Sequence, residues 1–189
     1  MKTTALVAAV AVAALTGAPA LAQDWYVRGD VNAAPNTRLD STPKLKGDDG
    51  WGVGLAFGRE YESGFRAEAE LVHLKNDAKN ALADDHETMG GFVNAYYDFN
   101  KDGALQPFVG AGVGVARVKV NGGPYHDRDA DFAYQLKAGL GYRLSEKLTG
   151  EVAYRYIGAP GLKFRSGPSE AKGDFRAQAV TVGLRYRLG

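Results

Sequence analysis

From Asp24 to the C-terminus, eight segments alternate between apolar and polar residues with period two, and none keeps a helical period. The last of them, VTVGLRYRLG, sets Val180, Val182, Leu184, Tyr186 and Leu188 on one face. Thr181, Gly183, Arg185 and Arg187 fall on the other. Read at every second residue, the earlier apolar faces run Trp25–Val31, Trp51–Phe57, Phe65–Leu71, Met89–Phe99, Val109–Val115, Phe132–Leu144 and Leu148–Tyr156. None of these positions is charged. The alternate positions hold Arg28, Asp30, Arg66, Glu68, Glu70, Asp98, Lys137, Arg143, Glu151, Arg155 and Arg185.

A water-soluble sandwich would also alternate, but two features argue against one. Short connections (58–64, 100–106, 145–147) and long ones (32–50, 75–87, 120–131, 157–173) alternate strictly, so each kind gathers at its own rim. Bacterial outer-membrane barrels have this asymmetry, with the short turns on the periplasmic side. With strands assigned up and down accordingly, Trp25, Phe57, Phe65, Tyr97, Phe99, Tyr142 and Tyr186 lie near the short-turn rim. Trp51, Phe132, Tyr134, Tyr154 and Tyr156 lie near the other, with small aliphatic residues between. Two aromatic girdles around an apolar band mark two membrane interfaces. The expected fold is therefore all-β: an eight-stranded antiparallel up-and-down transmembrane β-barrel. In lipid a sheet must close on itself, so the last strand should pair with the first, DWYVRGDVN.

The N-terminus adds an address. Met1-Lys2 precedes an apolar run from Ala5 to Leu15, then Gly17, Pro19 and a small-x-small site at Ala20 and Ala22. Eleven apolar residues are too few for a membrane-spanning helix, which needs ~20. Residues 1–22 are expected to be a cleaved secretory signal, and 23–189 the barrel domain. Without Lys2 the chain carries equal numbers of acidic and basic residues, so it has no nucleic-acid footprint. The absence of Cys excludes disulfides, thiol catalysis and Cys-ligated zinc. It also excludes a lipid anchor at the expected cleavage site.

Candidate chemistry is sparse. Gly110, Gly112 and Gly114 recur every second residue, unlike the G-x-G-x-x-G of a phosphate loop, and are expected to leave lumen space for Phe92 and Tyr96. Asp98, Asn100 and Asp102 begin like a calcium loop, but its twelfth position is Val109 instead of Glu. The three histidines, His73, His86 and His126, have no suitably placed Ser, so no catalytic residue, cofactor or metal is expected. The charges listed above, Arg28, Asp30, Arg66, Glu68, Glu70, Lys137, Arg143, Glu151, Arg155 and Arg185 among them, should face the lumen. An eight-stranded barrel is just wide enough for side chains to fill. Nearly balanced charge in that space predicts a salt-bridged plug, with a narrow water or ion channel as the alternative. Losing Glu68 and Glu70 together should then strand arginines, lower stability and open a leak. Val113 falls on the lipid face and Gly112 on the inner one, so Arg at 113 should damage the barrel far more than Ser at 112.

The stretches NAYYDF (94–99), PFVGAGVGVA (107–116), GEVAYRY (150–156) and the final strand resemble the small eight-stranded outer-membrane β-barrel family. That family includes opacity-type surface proteins, and the OmpA-type transmembrane domain is a structural relative. The closing TVGLRYRL resembles the C-terminal signal read by the barrel assembly machinery, carried here by Gly183, Tyr186 and Leu188, with Leu188-Gly189 where a final Phe is common. The resemblance implies a non-enzymatic Gram-negative outer-membrane protein serving envelope integrity, with adhesion or recognition through long extracellular loops. A lipid-modifying enzyme is the less favoured class. The partners implied are outer-membrane lipids and lipopolysaccharide, the assembly machinery, and an unidentified extracellular ligand. No wall-binding domain is expected after the barrel.

Overall fold

A computed structural model describes residues 24–40, 45–47, 50–76, 86–120, 131–166 and 169–189. The expected signal segment lies outside them. Nine strands occur among the described residues: β1 Trp25–Asp40, β2 Leu45–Gly47, β3 Gly50–Glu60, β4 Phe65–Asn76, β5 His86–Asp98, β6 Leu105–Val120, β7 Asp131–Arg143, β8 Leu148–Ser166 and β9 Ser169–Arg187. Each of β3 to β9 pairs antiparallel with its sequence neighbour, and β1 pairs with both β3 and β9. Eight strands therefore form a closed barrel. The three-residue β2 is an appendage on β1, opposite Thr37–Leu39.

Closure runs from Tyr26↔Arg187 through Ala33↔Val180, so the last strand is tied to the first along the whole wall. Every backbone donor and acceptor then has a place in a ladder, which lipid demands. The turns at the short end are tight. One contains Gly64 at φ 88°, a left-handed conformation that favours glycine.

The in-out pattern follows from strand pleating. Val31, Leu55, Leu71, Val113, Leu136, Leu140, Val152 and Val182 are exposed on the outer wall although apolar. Around the short-turn rim, Trp25 stacks on Phe57 at 4.8 Å, and Phe65, Tyr97 and Phe99 meet edge to face at 5.1 Å. At the other rim the Tyr134 and Tyr156 rings lie 6.1 Å apart.

Two segments read as loops prove to be largely strand. Within 157–173, β8 continues to Ser166 and β9 starts at Ser169, with pairing up to Ser166↔Ser169. Within 32–50, β1 continues to Asp40 against Asp174. A strand needs only ~9–11 residues to cross a bilayer, so the 19-residue β8 and β9 project well beyond it. The alternation weakens there because water can solvate both faces, while the ladder itself persists. Two bulges interrupt the extension. Ala34 and Pro35 oppose Ala179 alone, and Pro160 and Gly161 oppose Asp174 alone. Proline cannot donate to a ladder and is accommodated at such bulges. Of the other two long connections, residues 77–85 and 121–130 lie outside the described residues.

Candidate functional site: the barrel lumen

The inward positions of the lower and middle wall converge on one another across the bore. Glu68 and Glu70, two apart on β4, are the acceptors at its centre. Glu68 accepts from Tyr26 (3.0 Å), from Arg28 Nε and Nη2 (3.1 and 2.8 Å) and from Tyr96 (3.1 Å). Glu70 accepts from Arg28 (2.9 Å), Lys137 (2.7 Å), Arg155 (2.6 Å), Asn94 (3.0 Å) and Gln135 (2.6 Å). Five strands thus meet at one carboxylate. Asp30 takes Arg28 Nη1 at 2.7 Å and the Asn32 amide at 2.8 Å, with Arg155 at 3.4 Å.

Below this layer Arg66 pairs with Asp98 at 2.8 Å and sits over the Tyr96 and Phe108 rings at 4.7 and 5.2 Å. Arg185 contacts Glu151 at 3.0 Å, Glu60 at 2.5 Å and Gln106 at 2.9 Å, and Arg187 adds a second contact to Glu60 at 2.8 Å. Ions so enclosed are tolerable only because each has partners. A polar vestibule of about 370 Å³ opens at this end, lined by Glu60, Arg66, Asp98 and Arg185 among others.

Of the eleven charges singled out in the sequence, ten face the bore and are buried: Arg28, Asp30, Arg66, Glu68, Glu70, Asp98, Lys137, Glu151, Arg155 and Arg185. Arg143 lines the vestibule at the mouth and is only half-buried. It lies at the rim and donates to the Lys101 and Asp102 carbonyls at 2.6 and 3.0 Å, capping the turn between β5 and β6. Glu60, Tyr26, Asn94, Gln106 and Gln135 are lumen participants that a search restricted to charge in strand interiors misses, whereas Tyr96 was expected there opposite the glycines. The signal of those five was parity alone.

The upper lumen differs. Val72, Leu74, Phe92, Ala116, Ala133, Ile157, Ala159 and Ala177 form one buried apolar cluster toward the long-loop end. The sequence places Phe92 in the lumen but predicts its filling only as a salt-bridged plug, without this apolar layer.

The other motifs resolve into structure. Phe92, Asn94 and Tyr96 stand opposite Gly114, Gly112 and Gly110. A Cβ on Gly110 would enter the Tyr96 ring, so that glycine makes room for it. Gly112 is as confined: a Cβ there would meet Asn94 Oδ1 and lie 2.9 Å from the Val93 carbonyl. The Asp98–Asn100–Asp102 run does not converge. Asp98 is buried against Arg66, Asn100 donates to the Leu105 carbonyl at 2.9 Å, and Asp102 is exposed. The Lys101 ammonium, 2.8 Å from Asp102, holds that carboxyl below its ordinary range by a hydrogen bond. Gly183 faces Glu151 and Asp30 across two ladders, Tyr186 lies outward beside Val27 and Leu148, and Leu188 donates its N–H to the Trp25 carbonyl at 2.8 Å.

The family model described as the outer membrane protein β-barrel domain matches residues 3–187. The chain belongs to that family. It is 25% identical to a Rickettsia bellii protein whose name marks it as a candidate adhesin, covering 98% of this chain and 99% of that one. It is 24% identical to an uncharacterized Brucella abortus protein, covering 90% and 86% of the two chains. Among solved structures, Neisserial surface protein A superposes with a TM-score of 0.67 at 19% identity, over 86% of this chain and 96% of that one. OprG of Pseudomonas aeruginosa gives 0.59 at 17% identity, over 87% and 95%. These likenesses concern the fold, a small outer-membrane barrel, and locate the chain in the Gram-negative outer membrane, in contact with its lipids.

Proposed function

We propose that the protein is a non-enzymatic surface protein whose barrel is a closed platform for recognition outside the cell. The observation that carries this reading is the filled bore: an ion-paired layer below, an apolar layer above, and strands projecting past the upper rim. Such a lumen supports a load-bearing plug better than a conduit. The projecting parts of β1, β8 and β9, with β2, form the recognition surface. The names of the Rickettsia relatives favour adhesion as its use. Residues 1–22 act as the export signal, cut after Ala22, and Gly183, Tyr186 and Leu188 are read by the assembly machinery during insertion.

Two measurements test it. Purified barrel in a planar bilayer should show no steady conductance; a stable ionic current would favour the narrow-channel alternative. Cells expressing the full chain should adhere to a host-cell or matrix surface more than cells whose 160–173 hairpin is replaced by a short turn. Equal adhesion at equal surface levels would overturn the recognition role.

A further inference from the structure

The outer wall carries only apolar and small residues across its middle. At the long-loop rim, ionisable residues return on three adjacent strands. The registers set Val53, His73, Met89 and Arg117 side by side across β3 to β6. One step farther out, Trp51, Lys75, Glu87 and Lys119 form a second row. His73 and Lys75 are half-buried on the outer face, and Arg117 is exposed there. Arg117, exposed on the outer face, gives this rim its positive charge, and Lys75 has a partner of its own.

Depth is fixed by the neighbours. Trp51 is 55% exposed and belongs to the upper aromatic girdle. Phe132, also 55% exposed, stands beside Val115, two residues before Arg117 on β6. The patch therefore lies where lipid headgroups begin.

The opposite rim provides a contrast. Arg59 also points outward, but Asp24 lies 3.4 Å from it and the Trp25 and Tyr61 rings lie under its guanidinium at 5.9 and 5.3 Å. The protein matches that charge itself. No carboxylate among the described residues pairs with Arg117. A cation at the edge of the hydrocarbon is tolerated when it reaches an anion or water at the interface. Guanidinium binds phosphate through two parallel hydrogen bonds, and such contacts are the strong ones.

We propose that this patch on β4–β6 binds a phosphate of lipid A, the phosphorylated glycolipid of the outer leaflet. Arg117 is the main contact, with Lys75 and His73 beside it. The site faces the membrane, so it is separate from the recognition surface above and stands or falls independently of adhesion.

The chain's two tryptophans make it measurable. In a Trp25→Phe background Trp51 is the sole indole, next to Lys75 in the ladder. The barrel is inserted in phosphatidylcholine vesicles containing a small fraction of dansyl-labelled lipid A, and energy transfer from Trp51 is recorded. Bisphosphorylated lipid A should be enriched near Trp51 by about tenfold over its dephosphorylated form, the scale of a hydrogen bond to a charged group. Arg117→Ala with Lys75→Ala should abolish the preference, Arg117→Lys should keep part of it, and Arg176→Ala, on distant β9, should leave it intact. Heat-modifiable mobility verifies folding, and Arg117→Gln carries the same prediction should the double variant fail to insert. Equal enrichment of both lipids, a preference surviving loss of Arg117, or an equal loss with Arg176→Ala would overturn the proposal. So would displacement by inorganic phosphate at the same molar concentration, which would indicate a free-anion site.

Discussion

The lower and upper halves of the lumen are built from opposite materials. Below, Glu68 and Glu70 gather Arg28, Lys137 and Arg155, and Arg185 ties Glu60 to Glu151. Above, Leu74, Phe92 and Ile157 pack with alanines and Val72. The lower half is specific and brittle, because each ion needs its partners. The upper half should tolerate exchange among apolar residues, and its apolar lining offers no partner to a passing ion. A bore filled only by salt bridges should open when charges are removed; the apolar layer above is a candidate second barrier, testable by conductance.

Breaking the charged half should have the largest effect. Glu70→Ala takes from Lys137 its one ion pair and leaves Arg28 and Arg155 with their remaining carboxylates, and should cost ~3–5 kcal/mol, the range for breaking a buried pair. Urea unfolding from lipid vesicles measures it. A loss under 1 kcal/mol would mean that water replaces the carboxylate cheaply.

In the apolar half, Leu74→Ala should cost ~2–5 kcal/mol through lost burial and a residual cavity. Leu74→Met should cost less than ~1.5 kcal/mol, whereas no conservative exchange at Glu70 should be so mild. Similar tolerance at both positions would erase the distinction between the halves.

The two halves are also separable by conductance. Glu68→Gln with Glu70→Gln should lower stability yet leave planar-bilayer current at background, because the apolar layer still blocks the path. That revises the leak expected from charge alone. Adding Leu74→Gly and Phe92→Ala should be needed before current appears, and current from the glutamine pair alone would show that the upper layer is no barrier.

The smallest contrast concerns β6. Val113→Arg places a charge in lipid on a side chain that is 52% exposed, at ~2–4 kcal/mol. Gly112→Ser was expected to be mild because it faces inward. Asn94 occupies that space, however, and would have to leave Glu70 and Gln135, so ~1–3 kcal/mol of overpacking is expected. Comparable unfolding midpoints for the two variants are the predicted result.

What was legible in the chain follows from the period of two. Once lipid faces one side, parity alone assigns every side chain inward or outward, and a slip of one residue would reverse them all. Hence Arg28, Glu68 and Arg155 were found from sequence. Which carboxylate each would meet was not legible, because contacts such as Arg155 to Glu70 cross the bore between strands that are not neighbours. The upper layer left a signal that was only partly read: in LVHL (71–74) the inward positions turn apolar at Val72 and Leu74, and those on β5 and β8 lose charge toward the same rim at Phe92 and Ile157. The strand extensions left less, since a ladder outside the membrane needs no alternation to persist.

The proline bulges at the lip have a consequence for how far a change in chain length can reach. Each inserts one unpaired residue where β1 and β8 leave the wall beside β9. The alternation above a bulge is therefore out of phase with the alternation below it. The projecting sheet need not inherit the strict inward-outward code of the bore. A residue added or removed beyond Pro35 or Pro160 would not shift the phase of the strand below it. The lip works as a joint that uncouples the register of the projecting sheet from that of the wall.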